Sequence, residues 1–167
     1  LAAEAKQKLD FFSDIVEGIS AEIRPFTSGE KVKDELSELK VIKGKINKLR
    51  DEYGKSGEKY NGKIIELDKQ LSAAYKINFQ KVCENFEIEV DDVKDTIDDQ
   101  KIEELTEKFE NINSRFPEGN NDGLLTKDDS NTWERLRPTI LEKTKNKLDK
   151  LIQKNNELKI KREAEKE

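Results

Sequence analysis

The sequence predicts an all-α fold, an elongated antiparallel helical bundle of about four main helices with coiled-coil-like stripes, and three observations predict it. Apolar residues recur at steps of three and four along most of the chain. Leu, Ile, Val and Phe supply 43 of 167 residues against 41% charged. That is enough to fold but too little for a thick globule, so thin stripes on long helices are the economical solution. No paired hydrophobic strand pattern, Gly-rich phosphate loop or repeat of fixed period interrupts this. The length fits a single domain, residues 1–167.

The elements follow in order. Leu1, Ala5, Leu9, Phe12, Val16, Ile19 and Ile23 form the first stripe, and Pro25 is expected to close it. "TSGE" sets Thr27 three residues before Glu30, a capping-box pattern that predicts a second helix through Val32, Leu36, Leu39, Ile42, Ile46, Leu49 and Tyr53. Gly54, Gly57 and Gly62 crowd the next nine residues. Each glycine costs a helix interior about 1 kcal/mol against alanine, so a helical hairpin is expected there rather than one long helix. The third helix carries Tyr75, Phe79, Val82 and Phe86.

From Glu84 to Glu110 there are twelve acidic and three basic residues. A short helix through Val93 and Ile97 is expected, then a longer one through Ile102, Leu105, Phe109, Ile112 and Phe116, capped by Asp98 or Asp99. Lys31 to Lys63 holds ten basic and six acidic residues, a candidate neighbour for the acidic helix. The last helix is read from Ser130 through Trp133, Leu136, Ile140 or Leu141, Leu148, Leu151 or Ile152, Asn155 and Leu158, with a kink or restart at Pro138. "KREAEKE", residues 161–167, has no stripe and is expected to fray.

Composition excludes much chemistry. Without histidine there is no imidazole base and no zinc site built on one. The single cysteine, Cys83, lies among Phe79, Val82 and Phe86 and reads as a small buried apolar residue. Lysines outnumber arginines 26 to 6 and the net charge is −5, which argues against nucleic acid as a partner. Carboxylate pairs can be drawn almost anywhere among 37 acids, so none marks an acid/base site, and the chain is not expected to be an enzyme or to need a cofactor. No run is long enough to span a membrane. Methionine is absent even at position 1, so the chain is read as a processed or excised form, and a surface location assumes a signal or lipid anchor removed with the missing start.

One loop stands out. "PEGNNDGLLTKDD" spans Pro117 to Asp129 and resembles an EF-hand calcium loop, with Glu118, Asn120, Asp122, Leu124, Thr126 and Asp129 at the liganding positions and Gly123 at the turn. The acids stand in inverted order, the longer first and the shorter last, apolar anchors are missing at Pro117 and Ser130, and no second loop pairs with it. A plain interhelical loop without metal is the expectation. Long structureless loops are often functional. This one carries Leu124 and Leu125 between Asp122 and Lys127, close to the only tryptophan, Trp133, and these five residues are the candidate partner-binding site; the alternative is that both leucines fold back to cap the bundle end and Trp133 is core. Flanking acids would steer a basic partner.

Stretches such as "KINKLRDEYGKSGEKYNGKIIELDKQL" resemble the helical surface lipoproteins of spirochaetes, the factor-H-binding type of Borrelia. The likeness carries over no functional residue. It implies a non-enzymatic protein at the cell surface or outside the cell that binds a host protein such as a complement regulator. The alternative is an intracellular, cytoplasmic coiled-coil scaffold or interaction domain. Nothing in the sequence sets the oligomeric state.

Overall fold

A computed structural model describes residues 2–30, 36–93, 98–119 and 123–166. Among them are five helices and no strand: α1 (Ala2–Thr27), α2 (Leu36–Tyr53), α3 (Glu58–Asp91), α4 (Asp99–Arg115) and α5 (Lys127–Lys166). The chain divides into two compact units, Leu1–Phe79 with Asn120–Thr132, and Gln80–Gly119 with Trp133–Glu167.

In the first unit α1, α2 and the first half of α3 bury their stripes together. Phe12, Ile19, Ile23 and Phe26 meet Leu39, Ile42, Ile46 and Leu49, and Ile64, Leu67, Leu71, Tyr75 and Phe79 complete the core. Neighbouring helices run antiparallel. Glu22 pairs with Lys45 and Phe12 packs on Tyr53 across α1 and α2, while Lys43 pairs with Asp68 and Tyr53 stacks on Tyr60 across α2 and α3.

Two helix ends depart from expectation. α1 runs through Pro25 to Thr27, because Ile23 and Phe26, at 1% and 0% exposure, hold the last turn against the core. Thr27 therefore ends α1 instead of capping α2: its hydroxyl donates to the Arg24 carbonyl, and Gly29, at φ 78°, supplies the left-handed residue that stops the helix. Val32 lies outside the described residues. At the other hairpin the turn is confined to Gly54–Gly57. A Cβ on Gly54 would stand 2.4 Å from the Arg50 carbonyl oxygen, and Gly57 has φ 121°. Gly62 is inside α3, not in the turn. Tyr53 and Tyr60 stack across it at 5.7 Å with Phe12 against both rings, and Lys8 sits over both and donates to Ser56.

In the second unit, Val82, Cys83, Phe86 and Val90 of α3 pack with Leu105, Ile112 and Phe116 of α4 and Trp133, Leu141 and Leu148 of α5. Asp98 caps α4 as expected, its carboxylate accepting from the Lys101 N–H. α3 itself runs to Asp91, so Val93 follows a helix end; Ile97 lies outside the described residues. The acidic stretch finds lysines within its own unit: Glu89 pairs with Lys108, Asp91 with Lys147 and Asp99 with Lys159. α5 begins at Lys127, three residues before the expected start, and continues unbroken through Pro138. Interior proline costs about 3 kcal/mol. Buried Trp133 on one side and Leu141, Thr144 and Leu148 on the other hold one helical face through it. Residues 161–166 are helical and exposed.

Candidate functional site

The stretch between α4 and α5 is pinned at both ends. Phe116 caps α4, and Arg137 reaches back from α5, donating from Nε to the Phe116 carbonyl at 2.5 Å and from Nη2 to Asn113. Those bonds satisfy carbonyls that a helix end leaves open. At the other end Gly123 turns the chain at φ 73°, and Thr126 caps α5, its hydroxyl accepting from the Asp129 N–H. In a standard capping box the carboxylate at the fourth position would accept the cap residue's N–H. Here fully buried Ser72 stands between them: its hydroxyl accepts from the Thr126 N–H and donates to Asp129 Oδ2 at 2.5 Å. Lys76 donates to the other oxygen, Oδ1, at 2.8 Å.

Burial alone would raise the Asp129 carboxyl. The hydrogen bonds from Lys76 and Ser72, the Lys76 charge and the Thr126 contact outweigh it and hold the group below its ordinary 3.8. This bears on the calcium reading. The residue at the twelfth loop position has an ammonium and a hydroxyl on its two oxygens, so it is committed to α3 and not presented to a cation. Asn120 and Asp122 lie outside the described residues, and Glu118 is exposed. Among the described residues no three of Cys, Asp and Glu gather as a metal-binding group.

The expected partner-binding residues are placed differently from one another. Leu124 and Leu125 are not displayed: they are buried at 2% and 7% exposure. An adjacent apolar pair next to a glycine turn folds inward here because Ser72 and Asp129 draw the chain onto α3. Trp133 is core in the second unit, 1% exposed, with Nε1 donating to the Pro117 carbonyl. Asp122 lies outside the described residues. Lys127 is exposed in the first turn of α5.

Three of the five nevertheless meet in one place. Leu124, Leu125 and Lys127 line a pocket of about 340 Å³ in the first unit, closed by Gly123, Thr126, Asp128, Lys43, Ile65, Asp68 and Lys69. Ile65 is 53% exposed at this site. Asp68 accepts from both Lys43 and Arg50, so its charge is compensated internally. Lys69 and Lys127 are exposed around the same opening. Ile65, Lys43 and Lys69 were missed from sequence, although a signal exists: Ile64 and Ile65 are adjacent, and neighbours on a helix point about 100° apart. With Ile64 in the core, Ile65 has to face out.

A second apolar opening lies between α1 and α2. Two pockets, of about 380 and 190 Å³, share Lys45 and are lined by Ile15, Ile19, Glu22 and Pro25 of α1 and by Val41, Ile42, Lys48 and Leu49 of α2. Phe11 and Val41 are 62% and 61% exposed. The second unit is arranged otherwise. Asn155, 6% exposed, accepts from the Asp98 N–H and donates to Asp99, which Lys159 also engages. Those bonds from Lys159 and Asn155 hold the Asp99 carboxyl below its ordinary value. Cys83 is buried, and that burial, opposed by a hydrogen bond with Thr144 and reinforced by Glu87 and Glu84, pushes its thiol up to about 11. It is protonated at neutral pH and a poor nucleophile.

No protein-family model, curated protein or solved structure matches this chain.

Proposed function

We propose that this chain is a non-enzymatic binding protein whose first unit takes an acidic, apolar-tipped segment of a protein partner into the pocket between α3 and the start of α5. One observation supports the reading most. Ile65, a large aliphatic side chain half in solvent, stands at an opening with two exposed lysines, Lys69 and Lys127, against one exposed acid, Asp128, while the Asp68 charge is already met by Lys43 and Arg50. An apolar anchor with a charged rim is the arrangement that partner contacts use. The rim favours a partner carboxylate, so the polarity is opposite to that expected from the acids of the loop.

The resemblance to spirochaetal surface lipoproteins supplies the partner class: a host protein, such as a complement regulator, met at the cell surface. The test is biolayer interferometry of the immobilised chain against purified complement regulators, with Ile65→Ser and the pair Lys69→Glu/Lys127→Glu as variants. Saturable binding that weakens about tenfold or more in both variants, with melting temperature unchanged, is the expected result. Binding indifferent to both variants removes this pocket from the function. No binding to any regulator at about 100 µM removes the host-protein reading.

A further inference from the structure

The α1–α2 face is distinct from that pocket, and its chemistry is different. Phe11, Ile15 and Val41 stand 62%, 36% and 61% exposed in a chain with few apolar residues to leave in water. Gly18 and Gly44 present open space, with nothing beyond their own helix backbone within 4 Å of where a Cβ would be. Projecting apolar side chains beside bare backbone allow a second helical surface to approach closely.

Charge says which surface. From Asp10 to Glu22, α1 carries four acids, Asp10, Asp14, Glu17 and Glu22, and no base. From Lys40 to Lys48, α2 brings Lys40, Lys45 and Lys48, Lys43 being turned away to Asp68 of α3, and the acids Glu38 and Glu52 line the opening only at its two ends. The acidic and basic stretches lie side by side, since α1 and α2 are antiparallel and Glu22 pairs with Lys45. A uniformly acidic or basic partner laid on this hairpin would be attracted by one helix and repelled by the other. A second copy of the same hairpin presents both signs, four acids on α1 and three lysines at the middle of α2.

We infer that the outer face of the α1–α2 hairpin pairs with the same face of a second copy of this chain, about a two-fold axis parallel to the helices. That axis lays α1 of each copy over α2 of the other, acid on base twice. The alternative two-fold, across the helices, would lay acid on acid. α2 is 18 residues long, so the face measures about 27 by 20 Å, or on the order of 500 Å² in projection. That is the size class of a modest, concentration-dependent dimer. It also gives the scaffold reading of the sequence a physical form.

Sedimentation equilibrium tests it. Over about 5 to 200 µM the mass should rise from 19.3 kDa toward twice that value. Val41→Asp, at an exposed site, should hold the chain monomeric with unchanged helicity; should it perturb folding, Phe11→Lys decides. The register is read by charge exchange. One variant carries Lys45→Glu/Lys48→Glu and another Asp14→Lys/Glu22→Lys. Each alone should be monomeric, and an equimolar mixture should recover the dimer. A wild-type chain that stays monomeric at the top of the range overturns the inference. So does a dimer indifferent to Val41→Asp and Phe11→Lys, or a mixture that does not recover association.

Discussion

The two units use polar and apolar groups in opposite ways. In the first, four large hydrophobics, Phe11, Ile15, Val41 and Ile65, stand in solvent on or beside openings, while the polar cluster Ser72, Lys76, Thr126 and Asp129 is turned inward to hold a loop. In the second, the exposed large hydrophobics among the described residues are Ile88 and Ile160, each solitary in sequence, and the long polar side chains reach across helices to the backbone. Arg137 closes the end of α4 and Asn155 its beginning. The contrast teaches that in one unit polar side chains reach across to close helix ends, while in the other several large hydrophobics stay exposed along the helices. Isolated exposed hydrophobics need no explanation, whereas a group on one hairpin does.

The comparison breaks most readily at Trp133. Truncation to alanine removes the largest buried side chain and the bond to the Pro117 carbonyl, so the second unit should lose about 3–5 kcal/mol in chemical denaturation. A loss under about 1 kcal/mol would mean that this unit is not held by its core in the way described.

Asp129→Ala comes next, in the first unit. It strands the buried Ser72 hydroxyl and the Lys76 ammonium, and should cost about 1–3 kcal/mol at neutral pH. The pH dependence carries a sign. The folded Asp129 value lies below 3.8, so its contribution is fully present above 3.8 and is lost as pH falls through the folded value. The melting-temperature gap between wild type and Asp129→Ala should therefore be constant above that point and close in stronger acid. A gap that widens in acid would contradict the assigned bonds.

The smallest effect sharpens the comparison rather than breaking it. Asn155→Ala should cost about 1–2 kcal/mol and, more tellingly, speed hydrogen exchange at the Asp98 amide, whose acceptor it removes. Unchanged protection there would detach α5 from the start of α4.

Much of the fold was legible because stripes of Leu, Ile and Phe state which face of each helix is buried. A cap at Asp98 or Asp99 and the glycine hairpin were read from short local signals that need no tertiary knowledge. Helix ends near proline were not: Pro25 read as a stop and Pro138 as a kink or restart, and in both places buried residues beyond the proline continue the helix without a restart. The candidate site was half legible. Lys127 and the two leucines do line a pocket, but a loop's sequence does not say which way its apolar residues turn, since that depends on Ser72, 54 residues before Thr126. The strongest unread signal was adjacency. Phe11–Phe12, Ile15–Val16, Val41–Ile42 and Ile64–Ile65 each place two apolar residues side by side on a helix, and in each pair the more exposed member lines or flanks an opening.

The stacked pair Tyr53 and Tyr60 and the buried Tyr75 hold all three tyrosines of the chain within the first unit, while its one tryptophan belongs to the second. Each unit thus carries its own chromophore. Tryptophan emission excited at the red edge of its band follows the second unit, and the ring resonances of the tyrosines in NMR follow the first. Titrating denaturant once and overlaying the two signals reads out the cooperativity of the molecule: coincident curves mean the units unfold as one, and separated curves give each its own midpoint, without a label or a single substitution.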